Sequence, residues 1–215
     1  MILVPIKNFS TAKQRTAEVL AAEERAQLAE AMLRDVLTAC ASKPPVSVVT
    51  CDPAAAAIAR EFGCSVIHDA DNAGESEAIA MATAECERRG VEWTMVLPAD
   101  IPLVTAGEIE HVLAAMPARG VVIVPSWEER GSNAVLRRPA ALIPLRFGND
   151  SFQPHLRAIA TTGAECVVRR FPGIALDIDT PADLASLLSR PGDTRAQRLL
   201  RAWRVEDRIA LAARG

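Results

Sequence analysis

Val96-Leu97-Pro98-Ala99-Asp100-Ile101-Pro102-Leu103 ends an apolar run on a lone carboxylate inside a tight, proline-bounded turn. Such a run reads as a buried strand whose carboxyl end opens onto a crevice, which is where open α/β sheets bind their ligands. A hard divalent cation holding phosphates needs one or two such oxygens, so Asp100 is a candidate metal ligand. The same eight residues also fit an aspartate that merely caps the following turn.

On either side of this stretch, short apolar runs alternate with helical patterns. Ile2 to Ile6, Val46 to Thr50, Ser65 to Ile67, Trp93 to Leu97 and Val121 to Val124 read as strands buried on both faces. Helical periodicity covers Thr16 to Ala41, Pro53 to Phe62, Glu75 to Arg89 and Ala106 to Met116. A βαβ series with right-handed crossovers predicts an α/β fold: a three-layer, doubly wound, mostly parallel sheet. After Pro125 the rhythm becomes irregular. Strand-like segments are expected at Asn133 to Leu136, Glu165 to Val168 and Ala175 to Leu176, and helices at Ser151 to Ala160 and Thr180 to Leu188. One domain is expected over residues 1–190, then a linker and C-terminal helix over 191–215. The apolar stripe Leu199, Leu200, Trp203, Ile209 and Leu211 fits docking on the body or on a second subunit, which leaves a homodimer open.

Composition narrows the function. Half of the residues are apolar and only 4% aromatic, which suits helices packed on a sheet. A net charge of -3 argues against nucleic acid as a partner, because phosphate-backbone binding wants a basic face. Five widely spaced cysteines without a C-x-x-C pair read as thiols of a reducing compartment. The chain opens on a strand rather than a signal peptide, and no run approaches the roughly 18 apolar residues of a membrane span. A cytoplasmic protein with no membrane partner is expected.

Three further segments carry chemistry. Lys7-Asn8-Phe9-Ser10-Thr11-Ala12-Lys13-Gln14-Arg15 follows the first strand, and Lys7, Lys13 and Arg15 lie close enough to wrap a polyphosphate. It is neither a P-loop nor a G-x-G-x-x-G turn. Asp177 and Asp179 fall at i and i+2, on one face of an extended segment, and with Asp100 would place two or three carboxylates around one or two Mg²⁺. Asp179 could equally belong to the next helix N-terminus, and Asp177 could be a satisfied buried acid. Phe147-Gly148-Asn149-Asp150-Ser151-Phe152 opens a helix carrying His155 and offers N–H groups and a hydroxyl to a small phosphorylated acid, or forms a simple capped turn. Gly131-Ser132-Asn133 adds small polar groups that could touch the same substrate.

Taken in this order, the motifs resemble the 2-phospho-L-lactate guanylyltransferases, the CofC/FbiD-type enzymes of deazaflavin coenzyme biosynthesis. The carriers are VPIKNFSTAKQR, AEAMLRDVL, LPADIPL, GSNAVL, FGNDSF and PGIALDIDTPADL, which together span Ile2 to Leu188. The wider glycosyltransferase-A and nucleotide-diphospho-sugar transferase-like group, molybdenum cofactor guanylyltransferases included, usually has a glycine-rich first loop. This chain has Pro5, Lys7, Lys13 and Arg15 there, as the CofC branch does.

The resemblance implies transfer of GMP from GTP to a small phosphorylated three-carbon acid with release of diphosphate, in coenzyme F(420) biosynthesis. It implies that Lys7, Lys13 and Arg15 hold the triphosphate, and that Asp100, Asp177 and Asp179 hold Mg²⁺. It places the acceptor on Ser132 or Asn133 with Gly148 and Ser151. The acceptor stays open among 2-phospho-L-lactate, phosphoenolpyruvate and 3-phospho-D-glycerate. Near the nucleobase, where the family tends to show Gly-Leu-Asn, this chain reads Gly74-Glu75-Ser76-Glu77. Gly74, Ser76 and Glu77 are therefore candidate nucleotide contacts. Glu75 or Glu77 could accept the N1–H and 2-amino donors of guanine, the run could mark another nucleotide, or both acids could simply suit a helix N-terminus. A nucleotidyltransferase for a sugar phosphate or molybdopterin-type cofactor, or a nucleotide-binding protein without turnover, would use the same parts.

Overall fold

The computed structural model describes residues 1–41, 43–148 and 150–212. Seven strands form one sheet in the order β3-β2-β1-β4-β6-β5-β7: β1 Ile2–Pro5, β2 Val46–Thr50, β3 Ser65–His68, β4 Thr94–Val96, β5 Gly120–Pro125, β6 Ser132–Arg138 and β7 Glu165–Val168. Only β6 runs against its neighbours. The six residues between β5 and β6 are too few for a crossover, so this connection must be a hairpin. Because β2 and β4 flank β1 on opposite sides, the carboxyl end of β1 is the topological switch point of the sheet.

Strand alternation sorts the core into two layers. Ile2, Val4 and Val48 face one way and pack with Leu33, Ala55 and Ile109, which lie on α1 (Ala22–Cys40), α2 (Pro53–Glu61) and α4 (Ala106–Ala114). Leu3 and Val49 face the other way, against Ile79, Phe152 and Ile159 on α3 (Glu75–Arg88) and α5 (Phe152–Thr162). The predicted three-layer, mostly parallel α/β architecture is what forms. Among the described residues no helix is long and apolar enough to cross a membrane.

Three segments depart from the sequence reading. The first long helix begins at Ala22 rather than near Thr16, because Phe9–Thr11 and Gln14–Thr16 form 3-10 turns. Asn8 Oδ1 accepts from Ser10 N, and Thr16 Oγ1 donates to Lys13 O at 2.8 Å, so local side chains satisfy the backbone that a helix would otherwise use. Ala175 and Leu176 are not a strand. Pro172–Ala175 is a single helical turn, α6, whose carbonyls at Ile174 and Ala175 bond to the Asn133 amide.

The third departure is the C-terminal segment, which is two helices, α8 (Arg195–Ala202) and α9 (Val205–Ala212), broken at Arg204 with φ 53°. Ala196, Leu200 and Val205 pack with Leu28 and Met32 of α1 and Leu184 and Leu187 of α7 (Pro181–Ser189). Asp35 on α1 accepts from the first N–H groups of α8, at Arg195 and Ala196. The tail is therefore seated on the body of the same chain.

Candidate active site

The loop after β1 is held from both ends. Asp52, the N-cap of α2, accepts from Ala54 N and Ala55 N, and its second oxygen accepts from Phe9 N at 2.9 Å. Further on, Lys13 adopts the left-handed conformation (φ 52°, ψ 39°), which costs a non-glycine residue free energy and turns its side chain back toward the sheet. Its ammonium donates to Asp100 Oδ2 at 2.7 Å and to Asp179 Oδ1 at 3.0 Å, and Arg15 pairs with the other oxygen of Asp179. Residues 87 and 166 positions apart in sequence thus meet at one ammonium group. The backbone closes the same junction, since Ile178 N donates to Asp100 O at 3.0 Å.

Burial and charge set the protonation of this cluster. The Lys13 side chain is 9% exposed. Burial opposes its charge, but Asp100 and Asp179 outweigh burial and raise its pKa. Burial likewise pushes Asp179 upward, yet Lys13 and Arg15 hold it below the usual carboxylate range. Asp177 moves the other way: burial and the nearby negative charge of Asp100 raise its pKa, although Asn133 Nδ2 donates to it at 2.9 Å. Among the carboxylates Glu75 is raised furthest, to about 7, by burial and then by Asp100, with Lys7 and Lys13 only partly compensating. A crowd of carboxylates in a partly dry site favours any added cation.

Beside the cluster lies a cavity of about 270 Å³ whose charged wall includes Lys7, Lys13, Asp100 and Glu75, and whose apolar wall includes Val49 and Ala78. Lys7 is exposed at its rim. Arg15 stands at the Asp179 side, outside the lining. Gly74 and Glu75 reach the cavity. Ser76 instead accepts from Phe147 N at 2.9 Å, and Glu77 is exposed.

The donors suit a magnesium ion in one respect and limit it in another. Asp100 Oδ1 is buried with no hydrogen-bond partner among the described residues, an expensive state unless a cation or donor completes it. Among the described residues, however, no three or more His, Cys, Asp or Glu side chains converge as a ready metal cage. Mg²⁺ commonly takes only one or two carboxylates and draws its remaining ligands from water and substrate phosphates. Asp100, with Asp177 close enough to feel its charge, fits that pattern. Asp179 is engaged by Lys13 and Arg15.

The residues expected to receive an acceptor behave differently. Ser132 N donates to Ser151 Oγ at 3.0 Å, and Ser132 Oγ meets His155 Nδ1 at 2.9 Å. Because Arg146 N can only donate, and does so to His155 Nε2 at 3.1 Å, the ring proton sits on Nδ1 and points at Ser132. Burial and the Arg137 charge lower the pKa of His155 to about 4, so the ring stays neutral. Asn133 spends its amide on Ile174 O, Ala175 O and Asp177. Gly148 is on an exposed loop, and Asn149 lies outside the described residues. The sequence reading missed the bracing role of Asn133, a bond across 44 positions with no local signature. It also missed Trp127, 67% exposed with the Arg190 guanidinium 5.1 Å from its ring.

A mostly parallel sheet with its switch point at β1, with a cavity of about 270 Å³ at that edge and a lysine bridging two acids, is the fold of nucleotide-diphospho-sugar transferase-type proteins. The structure of a putative nucleotide-diphospho-sugar transferase from Desulfovibrio desulfuricans G20 matches with a TM-score of 0.78 at 18% identity, over 98% of this chain and 96% of that one. A family profile described as "Guanylyl transferase CofC like" matches residues 1–214, and the chain belongs to that family of guanylyltransferases. It is 36% identical to a phosphoenolpyruvate guanylyltransferase of Sphaerobacter thermophilus, over 86% of this chain and 90% of the relative. It is 35% identical to one of Nocardia farcinica, over 93% and 89% respectively.

Proposed function

We propose that the protein transfers GMP from GTP to phosphoenolpyruvate, or to the closely similar acids 2-phospho-L-lactate and 3-phospho-D-glycerate, as a step toward coenzyme F(420). An oxygen of the acceptor's phosphate attacks the α-phosphorus, the bond to the bridging oxygen breaks, and diphosphate leaves with the electron pair. The observation that carries this reading is the Lys13 ammonium held between Asp100 and Asp179 at the edge of the cavity. The names of the relatives support the acceptor.

In this mechanism Lys7 and Lys13 take the negative charge of the triphosphate, and Arg15 adds a planar fork at the Asp179 side. Asp100 and Asp177 would hold Mg²⁺, which when bound neutralises charge building on the phosphates. No side chain needs to act as a nucleophile, so rate comes from alignment and electrostatics. Purified protein given GTP, Mg²⁺ and each acid in turn should release diphosphate with at least one of them and yield a guanylylated acid by mass spectrometry. GTP bound without diphosphate release, or release only with a sugar phosphate or pterin acceptor, overturns the reading.

A further inference from the structure

Within Gly74-Glu75-Ser76-Glu77, local structure accounts for three residues. A Cβ on Gly74 would lie 2.3 Å from Glu77 Oε2, the movable end of that side chain, so the Glu77 carboxylate rests over the start of α3 beside residue 74. Such an acid suits the partial positive charge of a helix N-terminus. Ser76 ties the same helix end to Phe147. Glu75 has no such task. It is half-buried, it lines the cavity, and only burial and through-space charges act on it, with no hydrogen bond to its carboxylate among the described residues.

A carboxylate beside the apolar wall of Val49 and Ala78 is costly to keep ionised, consistent with a pKa near 7. Two adjacent N–H donors would repay that cost through charge-assisted hydrogen bonds. Phosphate oxygens cannot supply them, because they repel a carboxylate. Of the common nucleobases, guanine alone presents two neighbouring N–H donors on one edge, N1–H and the 2-amino group. Adenine and cytosine set a donor beside an acceptor, and uracil sets one N–H between two carbonyls.

We propose that Glu75 selects the base of the bound nucleotide, accepting N1–H and the 2-amino group of guanine while Lys7 and Lys13 hold the phosphates of the same molecule. This rests on the reading of the cavity as a nucleotide site. It assigns Glu75 alone among the two acids of the run, and it makes the Glu75 carboxylate repel the ring nitrogen that adenine presents at the same place.

The test is equilibrium binding of GTP, ITP and ATP, each with Mg²⁺, to the wild type, Glu75→Gln and Glu77→Gln, with thermal midpoints confirming that all three fold. ITP lacks only the 2-amino group. The wild type should bind GTP more tightly than ITP or ATP. Glu75→Gln should lose about tenfold or more toward GTP and narrow its preference over ITP, as expected when a bidentate base contact is broken. Its ATP affinity should hold or rise, since a glutamine amide can pair with adenine. Glu77→Gln should leave all three ratios unchanged. An equal loss toward all three nucleotides in Glu75→Gln, an unchanged GTP affinity there, or a wild type that binds ATP as tightly as GTP overturns the proposal. Absence of diphosphate release with every acid would sink the transfer reading and leave these binding ratios standing.

Discussion

On the β1 side of β4, Lys13, Asp100 and Asp179 bring three charges together at the edge of a cavity and leave Asp100 Oδ1 with no partner among the described residues. On the β6 side, Ser132, Asn133, Ser151 and His155 bury four polar side chains, yet bond them to one another, to the backbone and to Asp177. Both regions are rich in the residue types that signal a site. The difference is that one keeps unmet hydrogen-bonding and charge capacity beside a void, while the other has spent nearly all of its capacity on holding the β5–β6 hairpin, the α5 N-terminus and residues 174–177 together. Unspent capacity is costly in a folded protein and persists where a ligand repays it.

The largest effect expected from breaking this contrast is at Asp100. Asp100→Ala removes the orphaned oxygen and leaves Lys13 still paired with Asp179. The turnover rate should fall about 10² to 10³-fold, the usual cost of deleting one group that meets developing charge, while the thermal midpoint changes little. A variant that unfolds, or one with near-normal turnover, would show that Asp100 belongs with the bracing residues.

How much of this was legible in the sequence follows the same division. The parallel half was readable because Ile2 to Pro5 and Val46 to Thr50 are buried on both faces and show as continuous apolar runs. Lys13 and Asp100 were readable as candidates because each follows a strand run at the same edge of the sheet, and Asp179 because it stands two residues from Asp177 in an extended segment. The start of α1 was not, because the pattern of apolar residues from Thr16 to Leu20 suits a helix equally well, and side-chain bonds such as that of the Thr16 hydroxyl to Lys13 O divert it. The roles of Asn133 and His155 were hidden for a stronger reason: both depend on carbonyls or N–H groups brought near by the fold, and a side chain's type does not say whether its hydrogen bonds are already taken. Glu75 stood in view, but its burial could not be read from neighbours that are mostly polar.

The next effect concerns acid. His155 titrates at about 4 in the folded protein, against an ordinary value of 6.5. Between these values the unfolded chain binds more protons than the folded one, so stability falls as pH drops from 6.5 toward 4 and is fully present above that window. His155 is 2% exposed, and its contribution is on the order of 3 kcal/mol. Denaturation at pH 7 and at pH 4.5 should show a larger loss in the wild type than in His155→Gln. Equal losses would mean that the ring accepts a proton in place, as a group facing solvent or ligand would.

The smallest expected effect sharpens the comparison most, because it separates bracing from binding at one atom. Ser151 Oγ is buried and accepts from Ser132 N, and its own proton has no acceptor among the described residues. If Ser151 only braces, Ser151→Ala strands one buried N–H and costs about 1 to 2 kcal/mol of stability, with KM values for GTP and acid both unchanged. If the remaining proton reaches the phosphorylated acid, the same variant raises KM for the acid while KM for GTP holds. The β6 side would then resemble the β1 side in miniature, with one donor held in reserve. Ser132→Ala serves as the reference, since it removes the hydroxyl that receives the His155 proton and keeps the backbone N–H. A rise in acid KM for Ser151→Ala alone places the acceptor at the α5 N-terminus. Equal behaviour of the two variants returns the whole β6 side to scaffold.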